Sequence, residues 1–252
     1  MKKLFAIIYF IFIAIIICDA ESLDSLFIKA NDAYSSGNYE QAFSSYKQIQ
    51  EQNFESAELY FNMGNAAFRS NKLGYSILYY EKALKLDPSY EEAQTNLKYV
   101  SVYKEDQLDT VPEFFLKTWI KSLFSVFTVS IWSYIALGLF FITLLGILIY
   151  IFSRSLSLKK TGFFAGMLAL LLFVLTFAAA LNRNAEIQHP DQAVIIAPSV
   201  VVKSSPSLSG TDLFVLHEGT QVKIDEAVGE WIEIKISDGR VGWIQSETLE
   251  LI

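Results

Sequence analysis

Few side chains in this sequence could perform acid–base, metal or nucleophilic chemistry. The chain contains two histidines, His189 and His217, and one cysteine, Cys18. Neither histidine has another histidine or a cysteine close by in the sequence to complete a metal-binding set. The carboxylate pairs Glu91–Glu92 and Asp225–Glu226 are typical of solvated surfaces, and the sequence has neither a glycine-rich phosphate loop nor a nucleophile elbow. We therefore expect a protein that is not an enzyme and that holds no cofactor or metal.

A 34-residue repeat organises the first part of the chain. Residues 23–56 align with residues 57–90 at an offset of 34, which is the length of the tetratricopeptide (TPR) repeat. Identical pairs are Phe27/Phe61, Asn31/Asn65, Ala33/Ala67, Ser36/Ser70 and Tyr46/Tyr80. In the second copy, Gly64 stands where two helices must approach closely, and Asp87–Pro88 predicts the end of the second helix. Residues 21–110 are therefore predicted to form an all-α TPR domain.

The first repeat is less regular than the second, and a third helix follows both. Gly37-Asn38-Tyr39 predicts the turn between the helices of the first repeat, whereas Phe54 stands where the second repeat has Pro88. Residues 91–105 predict a polar capping helix. Two repeats and a cap are close to the minimum that buries a continuous core, so we expect an adaptor rather than a long scaffold.

The first helix of each repeat is expected to present side chains to a concave groove that binds a partner. The predicted groove residues are Phe27, Asn31, Tyr34, Phe61, Asn62, Asn65, Phe68 and Arg69. Asn31 and Asn62 resemble the asparagines of TPR domains that clamp a partner's C-terminal carboxylate. However, Phe27, Glu92 and Asn96 stand where that clamp needs basic side chains. We therefore favour an aromatic groove for a partner helix or an extended segment; packing in the repeat core is the alternative role for some of these rings.

Two long uncharged segments predict a transmembrane hairpin. They cover residues 126–152 and 161–182, and each exceeds the ~20 residues that a helix needs to cross a hydrocarbon core of ~30 Å. A buried hairpin in a soluble protein is disfavoured, because runs of this length without a charge are too uniform. The connecting loop, residues 153–160, carries the basic residues Arg154, Lys159 and Lys160. This short loop returns the second helix, so both flanking regions are expected on the same side of one membrane.

The first residues of the chain predict a secretory signal peptide, residues 1–20. Lys2 and Lys3 precede an apolar run that ends near Ala20, where cleavage is expected, and an uncleaved anchor is the alternative. Either form exports the next domain, and the basic loop then suits the cytoplasm. We expect a multi-pass protein of the cytoplasmic (inner) membrane with both folded domains on the periplasmic or exterior side. Since cleavage would remove Cys18, disulfides are not expected.

Residues 111–125 lie between the repeats and the first apolar segment. Pro112 and Glu113 suit a helix start, and Lys117 and Lys121 fall one turn apart on one face. Aromatic side chains surround this basic strip, which predicts a juxtamembrane helix in the outer headgroup layer. The alternative is that these residues simply extend the first transmembrane helix.

After residue 192 the hydrophobic pattern changes from the period of a helix to that of strands. The short β-prone runs are Val194–Ile196, Val200–Val202, Leu213–Leu216, Val222–Ile224, Trp231–Ile236 and Val241–Ile244. About 60 residues with this spacing predict a small barrel. Residues 193–252 resemble the bacterial SH3 domain in Glu218-Gly219-Thr220, in Trp231-Ile232-Glu233-Ile234 and in the ending Gly242-Trp243-Ile244.

Both parts that are predicted to be exported are acidic. Residues 21–110 contain 14 acidic and 8 basic groups, and residues 181–252 contain 11 and 5, so each part has a net charge of −6. Such charge disfavours binding to nucleic acid. The simpler role of these charges is to keep the two domains soluble. Nucleic acid is therefore not an expected partner.

The order of these parts resembles the BatE-type members of the bacterial Bat (Bacteroides aerotolerance) family over nearly the whole chain. The most telling residues are Pro112–Trp119, Val202–Pro206 and Ser209–Thr220. The resemblance implies a component of the cytoplasmic membrane that works with von Willebrand A-type membrane partners and a cytoplasmic AAA+ ATPase in envelope or oxidative-stress tolerance. It implies no set of functional residues.

The expected fold class is a multidomain membrane protein with an all-α TPR domain, a two-helix transmembrane hairpin and a small all-β SH3-like barrel. Two functions remain open. One is a non-catalytic assembly protein whose repeats hold other Bat-family membrane proteins with von Willebrand A-type domains and whose barrel holds a second ligand. The other is a cell-wall sensor whose SH3 domain binds peptidoglycan peptide while the repeats are structural.

Overall fold

The structure is a computed structural model that describes residues 23–108, 124, 126–188 and 190–252. The predicted signal peptide lies outside the described residues, as does the predicted juxtamembrane helix except for Phe124. The helices are α1 (23–35), α2 (Tyr39–Gln50), α3 (Ala57–Arg69), α4 (Leu73–Leu86), α5 (Glu91–Ser101), α6 (Val129–Phe152) and α7 (Leu156–Gln188). The strands are β1 (Gln192–Ile195), β2 (Ser199–Lys203), β3 (Asp212–His217), β4 (Gln221–Val228), β5 (Trp231–Lys235), β6 (Val241–Gln245) and β7 (Leu249–Leu251).

The two repeats use the same turn between their helices. Gly37 follows α1 and Asn71 follows α3, and their φ angles are 79° and 59°. A residue in this left-handed conformation ends a helix and lets the next amide bond back to the last turn. Accordingly, the next amides donate back to the carbonyls of Ala33 and Ala67, at 2.9 Å in each repeat. Because Gly37 and Asn71 are 34 residues apart, the turn recurs at the repeat period.

Local interactions determine where α3 begins and where α4 ends. Ser56 is the N-cap of α3, and its hydroxyl oxygen accepts a hydrogen bond from Leu59 N at 3.0 Å. Asp87 precedes Pro88 and has extended backbone angles, so α4 stops at Leu86. The fully buried side chains of the repeat core include Tyr46, Leu59, Met63, Ile77, Leu78, Tyr79 and Tyr80. These residues join α2, α3 and α4 in one apolar core.

Gly64 lies at the closest approach of the two helices of the second repeat. A Cβ atom at this position would lie 2.7 Å from both Cδ1 and Cε1 of Tyr80 on α4. The Tyr80 side chain is fully buried and has no solvent into which it could move. The approach of this ring therefore requires a residue without a side chain.

We expect Gly64→Val to destabilise the repeat domain by ~1 to 3 kcal/mol, because the added methyl groups overpack the contact with Tyr80. The measurement is the thermal midpoint of the helical circular-dichroism signal of the full chain in detergent, which should fall. Gln48→Val adds the same β-branched side chain at an exposed position of α2 and serves as the control. A midpoint equal to that of the wild type would remove Gly64 from the core.

Helices α6 and α7 form a hairpin, and both are long and apolar enough to cross a membrane, with 24 and 33 residues. Glycines allow them to approach closely. A Cβ atom at Gly146 would lie 2.8 Å from the carbonyl oxygen of Gly162 and 2.8 Å from Cα of Gly166. Most large apolar side chains of both helices point away from this seam and are exposed. The hairpin therefore buries its small residues and presents its large ones outward.

The helices of the hairpin differ in length from the predicted spans. Helix α7 continues beyond the predicted span 161–182 at both ends. Residues 156–160 of the predicted loop and residues 183–188, between that span and the predicted barrel, are therefore helical. The predicted bounds stopped at charged residues. Long basic side chains do not end a helix, because their stems lie along its surface while the charge reaches water.

The strands form one antiparallel seven-stranded sheet in the order β3-β2-β6-β5-β4-β1-β7. Strands β4, β5 and β6 form a meander, and β1 lies between β4 and β7. The six predicted β-prone runs correspond to β1–β6. Strand β7 was not predicted, because it has only three residues and follows the short 3₁₀ helix Ser246–Thr248.

These parts confirm the predicted fold class: a helical repeat region, two apolar helices that could span a membrane, and a C-terminal antiparallel sheet. The barrel also packs on the repeats. Val194 and Ile252 of the sheet region belong to the repeat core, and Leu108 packs against the core of the barrel. The repeats and the barrel therefore share apolar packing.

Candidate partner-binding groove

The eight predicted groove residues lie on two helices. Phe27, Asn31 and Tyr34 are on α1, and Phe61, Asn62, Asn65, Phe68 and Arg69 are on α3. Asn31 and Arg69 are exposed, and the other six are half-buried. None of the eight is fully buried, so each retains some surface that a partner could contact.

Two of the predicted asparagines hold tyrosines of the neighbouring helix. The hydroxyl of Tyr46 donates to Oδ1 of Asn31 at 2.5 Å, and the hydroxyl of Tyr80 donates to Oδ1 of Asn65 at 2.6 Å. Burial is the main cause that raises the pKa of both tyrosines, in each case to about 12. Both hydroxyls therefore remain donors at neutral pH. This pair recurs at the repeat period and fixes the first helix of each repeat on the second.

The predicted phenylalanines divide between packing and surface. The Phe27 ring packs edge-on against Tyr46 with centroids 5.8 Å apart, and Phe61 packs against Tyr80 at 6.0 Å. Phe61 also contacts Tyr90 at 5.0 Å. Phe27 and Phe61 thus support the repeat core, which is the alternative role expected for some of these rings.

Amide groups continue the groove onto α5. Asn96 Nδ2 donates to Oδ1 of Asn65 at 2.9 Å and lies 3.4 Å from the Tyr80 hydroxyl. Asn96 therefore belongs to a network of neutral groups at the position where a carboxylate clamp would need a cation. Asn62 is half-buried, and its side chain makes no hydrogen bond within the part of the chain that the structure describes. Its amide can donate to and accept from the backbone of a bound segment.

An aromatic cluster, formed by Phe68, Tyr99 and Tyr103, marks one end of the groove. The Phe68 ring lies 5.8 Å from Tyr99 and 5.7 Å from Tyr103, and the two tyrosine rings are 5.6 Å apart. Tyr99 is 57% exposed and Tyr103 is 55% exposed. Rings of this size left open to water beside a polar rim are typical of interaction surfaces.

Tyr99 and Tyr103 are not among the predicted groove residues, because residues 91–105 were expected to form a polar cap. The two tyrosines are four residues apart, which places side chains on the same face of a helix. From this four-residue spacing, an aromatic face on α5 could have been predicted.

The opposite side of the groove carries the only guanidinium of the predicted set. Arg69 donates from Nη2 to the hydroxyl of Tyr39 at 2.8 Å, and its Cζ lies 4.8 Å from the centroid of the same ring. Tyr39 in turn packs edge-on against Tyr34 at 5.2 Å. Arg69 is thus already engaged by a cation–π contact and a hydrogen bond. Its pairing favours a role in shaping the groove over that of a free anion receptor.

The chemistry of the groove is that of binding. Rings, neutral amides and one paired cation line it. Among the residues that the structure describes, no group of three or more histidine, cysteine or acidic side chains could hold a metal ion. The arrangement can hold an apolar side chain on the aromatic cluster and a peptide backbone on the side-chain amide of Asn62.

A cavity of ≈ 480 Å³ lies at the junction of the repeats, the hairpin and the barrel. Much of its charged lining is already engaged in contacts within the protein. Arg183, at the end of α7, donates to Glu186 at 2.8 Å and to the backbone oxygen of Lys85 at 2.6 Å, and Lys85 Nζ donates to the backbone oxygen of Ile252. The cavity is therefore a seam between domains, and Arg183 ties the hairpin to the last carbonyls of α4.

The fold and the groove together define a protein built of interaction modules on a helical hairpin. Residues 57–90 match the family model described as tetratricopeptide repeat, and these are the bounds predicted for the second repeat. Residues 198–250 match the family model described as bacterial SH3 domain. A comparison with curated proteins gave no match. TPR and SH3 domains are typically non-catalytic, and they indicate binding to proteins or to peptidoglycan.

Proposed function

We propose that the chain is a non-catalytic assembly protein, anchored in a membrane, whose repeat groove holds a segment of a partner protein. The observation that carries this proposal is the aromatic cluster of Phe68, Tyr99 and Tyr103, which is more than half exposed at both tyrosines. The amide of Asn62 lies on the same helix as Phe68 and has no partner within the described residues. An aromatic anchor beside a free side-chain amide suits a peptide segment with apolar side chains.

The membrane placement rests on α6 and α7. Their large side chains face outward along the whole hairpin, where lipid would cover them. The hairpin returns the chain to the side from which it came, so the repeats and the barrel lie on one side, in keeping with their direct packing. With export by the predicted signal, this is the periplasmic or exterior side of the cytoplasmic membrane.

The resemblance to the Bat family supplies the identity of the proposed partners. These are membrane proteins with von Willebrand A-type domains, and the assembly would act in envelope or oxidative-stress tolerance (aerotolerance). The support is the order of domains and the motifs that the chain shares with that family.

A cell-wall sensor is the second candidate function. The observation in its favour is an apolar strip on the edge of the barrel, where Val201 of β2 pairs with Val215 of β3 and both are exposed, at 40% and 47%. In this function the SH3 domain binds peptidoglycan peptide and the repeats only support it.

Purification of the cross-linked full chain from native membranes tests the first function. Von Willebrand A-type membrane proteins should be recovered with the wild type and lost with Tyr99→Ala/Tyr103→Ala. Sedimentation with purified sacculi tests the second function on the same preparations. Binding to sacculi that is lost on Val201→Asp, together with protein capture that is independent of the tyrosines, would favour the sensor over the assembly protein.

A further inference from the structure

A turn of the barrel holds the end of the repeat domain. Residues 217–220 connect β3 to β4 and face residues 102–108, the segment that follows α5. Oδ2 of Asp106 accepts a hydrogen bond from the backbone N of His217 at 2.7 Å and another from Oγ1 of Thr220 at 2.6 Å. Oδ1 of the same carboxylate lies 3.0 Å from Nδ1 of His217. With its side chain only 12% exposed, Asp106 uses both oxygens in bonds of the strong, charge-assisted kind.

The same turn caps a helix of the second repeat. Gly74 lies in the first turn of α4, where backbone amides have no partner within the helix. Oε2 of Glu218 accepts a hydrogen bond from Gly74 N at 3.0 Å, whereas the helix's own N-cap residue, Lys72, makes no capping bond with its side chain. A carboxylate at this end of a helix is also favoured by the helix dipole. The barrel therefore supplies the cap that the repeat sequence lacks.

Two glycines permit this close approach. A Cβ atom on Gly74 would lie 2.8 Å from the carbonyl oxygen of Ile195, and one on Gly219 would lie 2.6 Å from Cδ1 of Ile77. Gly219 also has a φ of 85°, which few other residues adopt. The close contact between the barrel and the repeats therefore depends on glycine at positions 74 and 219.

The segment that Asp106 anchors carries part of the aromatic cluster. Tyr103 lies three residues before Asp106, and its ring contacts Phe68 and Tyr99. The local backbone bonds of this segment weaken toward Asp106: Tyr103 N to Val100 O is 3.0 Å, whereas Lys104 N to Ser101 O is 3.4 Å. Asp106 is the anchor that follows Tyr103 in the chain, and without it only these local contacts would hold the Tyr103 ring.

We propose that the SH3 domain is a latch that positions the aromatic end of the partner groove. While the turn 217–220 holds Asp106, Tyr103 is fixed against Phe68 and Tyr99; when Asp106 is released, residues 102–108 are freed and this end of the groove comes apart. Asp106 is a positioning residue and does not itself contact the partner. The inference rests on the proposed function for the role of the groove, and it makes the barrel and the repeats one coupled binding unit.

Several charged groups surround the latch. Nε2 of His217 lies 3.5 Å from Oε1 of Glu105, so the imidazole faces two carboxylates. Lys104 packs along Gly219, and Glu218 is engaged by Gly74. The charges of Arg240 and Asp106 also interact. The carboxylates of Asp106 and Glu105 favour the imidazolium form of His217.

The latch is expected to respond to pH. The hydrogen bond to Asp106 raises the pKa of His217 above its usual 6.5, against the opposing effect of desolvation. Burial alone would raise the pKa of Asp106, but hydrogen bonds from Thr220 and His217 outweigh it and lower that pKa below 3.8. The contribution of His217 is complete below pH 6.5 and is lost as pH rises through the raised pKa. The contribution of Asp106 is present above pH 3.8 and is lost as pH falls through the lowered pKa, so docking is tightest between these values.

Hydrogen exchange of the full chain in lipid nanodiscs tests the latch. With rates corrected for intrinsic exchange, the amides of residues 102–108 should exchange about tenfold faster in Asp106→Ala than in the wild type, as expected for the loss of hydrogen bonds to a charged group. Glu92→Ala removes an exposed carboxylate of α5 and should leave these rates unchanged. The wild type should lose protection as pH rises above 6.5, and His217→Gln should remove this pH step.

The outcomes separate the latch from the function of the groove. Unchanged exchange of residues 102–108 in Asp106→Ala, or a pH step that persists in His217→Gln, overturns the latch. Faster exchange together with loss of von Willebrand A-type proteins from the native-membrane purification supports the proposal. Faster exchange with normal recovery overturns the link to the groove. If Tyr99→Ala/Tyr103→Ala also recovers these proteins normally, it is the proposed function of the groove that fails.

Discussion

A reporter enzyme fused after Lys160 is expected to be active only in the cytoplasm, and reporters fused after Asp109 or Ile252 only outside it. The reason is electrostatic: Arg154, Lys159 and Lys160 would have to cross the membrane with their charges for the loop to face outward. The effect should be close to all-or-none, because a hairpin has two orientations and each reporter reads one side. Activity of paired reporters that work only in the cytoplasm or only outside it, normalised to protein level, is the measurement.

Replacing Arg154, Lys159 and Lys160 together by glutamine provides the control for this topology. The variant keeps the apolar lengths of α6 and α7 and removes the charges that orient them, so mixed activity at the loop is expected if those charges set the orientation. Cytoplasmic activity of a reporter at either flank in the wild type would contradict the hairpin in the membrane. The hypothesis to test would then be a helical hairpin in a soluble protein.

The repeat region could be predicted from sequence because its physics is local. The 34-residue offset fixes which residues are small, aromatic or turn-forming, and the left-handed angles of Gly37 and Asn71 fall at that offset. The hydrogen bond between Asn65 and Tyr80 also has its counterpart one repeat earlier. When residues at the same position of two repeats make the same contact, the repeat offset is enough to recognise them from the sequence.

The contacts between domains could not be predicted in this way. Asp106 and His217 are 111 residues apart in the chain, and the sequence near either residue does not indicate the other as its partner. Glu218 and Gly74 are separated by 144 residues. Such pairs follow from how folded surfaces meet, which depends on tertiary shape and not on sequence pattern.

The roles of the predicted groove residues divide for the same reason. A helical pattern tells which residues share a face, but not how deep that face lies once the next helix packs. The Phe61 ring packs against Tyr80 and Tyr90, whereas the Phe68 ring contacts an exposed tyrosine of α5. Both phenylalanines fit the same helical pattern, and only the packing distinguishes the ring that supports the core from the ring at the surface.

The double variant Tyr99→Ala/Tyr103→Ala is expected to weaken capture of the partner by ~2 kcal/mol or more, about 30-fold, if these rings are the anchors of the interface. Both rings are more than half exposed, so their loss should cost the fold little, unlike loss of Phe61. Phe68→Ala should act in the same direction and with some loss of stability, since this ring is half-buried. Binding of each purified variant in detergent to the partner recovered from native membranes is the measurement, and circular dichroism verifies that each is folded.

Two controls decide whether the aromatic cluster itself is responsible. Phe54→Ala removes an aromatic ring that is 40% exposed and lies between the repeats, outside the groove, and it should leave capture unchanged. Conversion of the partner's free C-terminus to an amide should also matter little, because Asn96 occupies a clamp position as a neutral group in a network with Asn65 and Arg69 is held by Tyr39. A folded Tyr99→Ala/Tyr103→Ala variant that captures the partner as tightly as the wild type would show that the groove is not the binding site. The exposed strip around Val201 and Val215 on the barrel would then be the surface to mutate next.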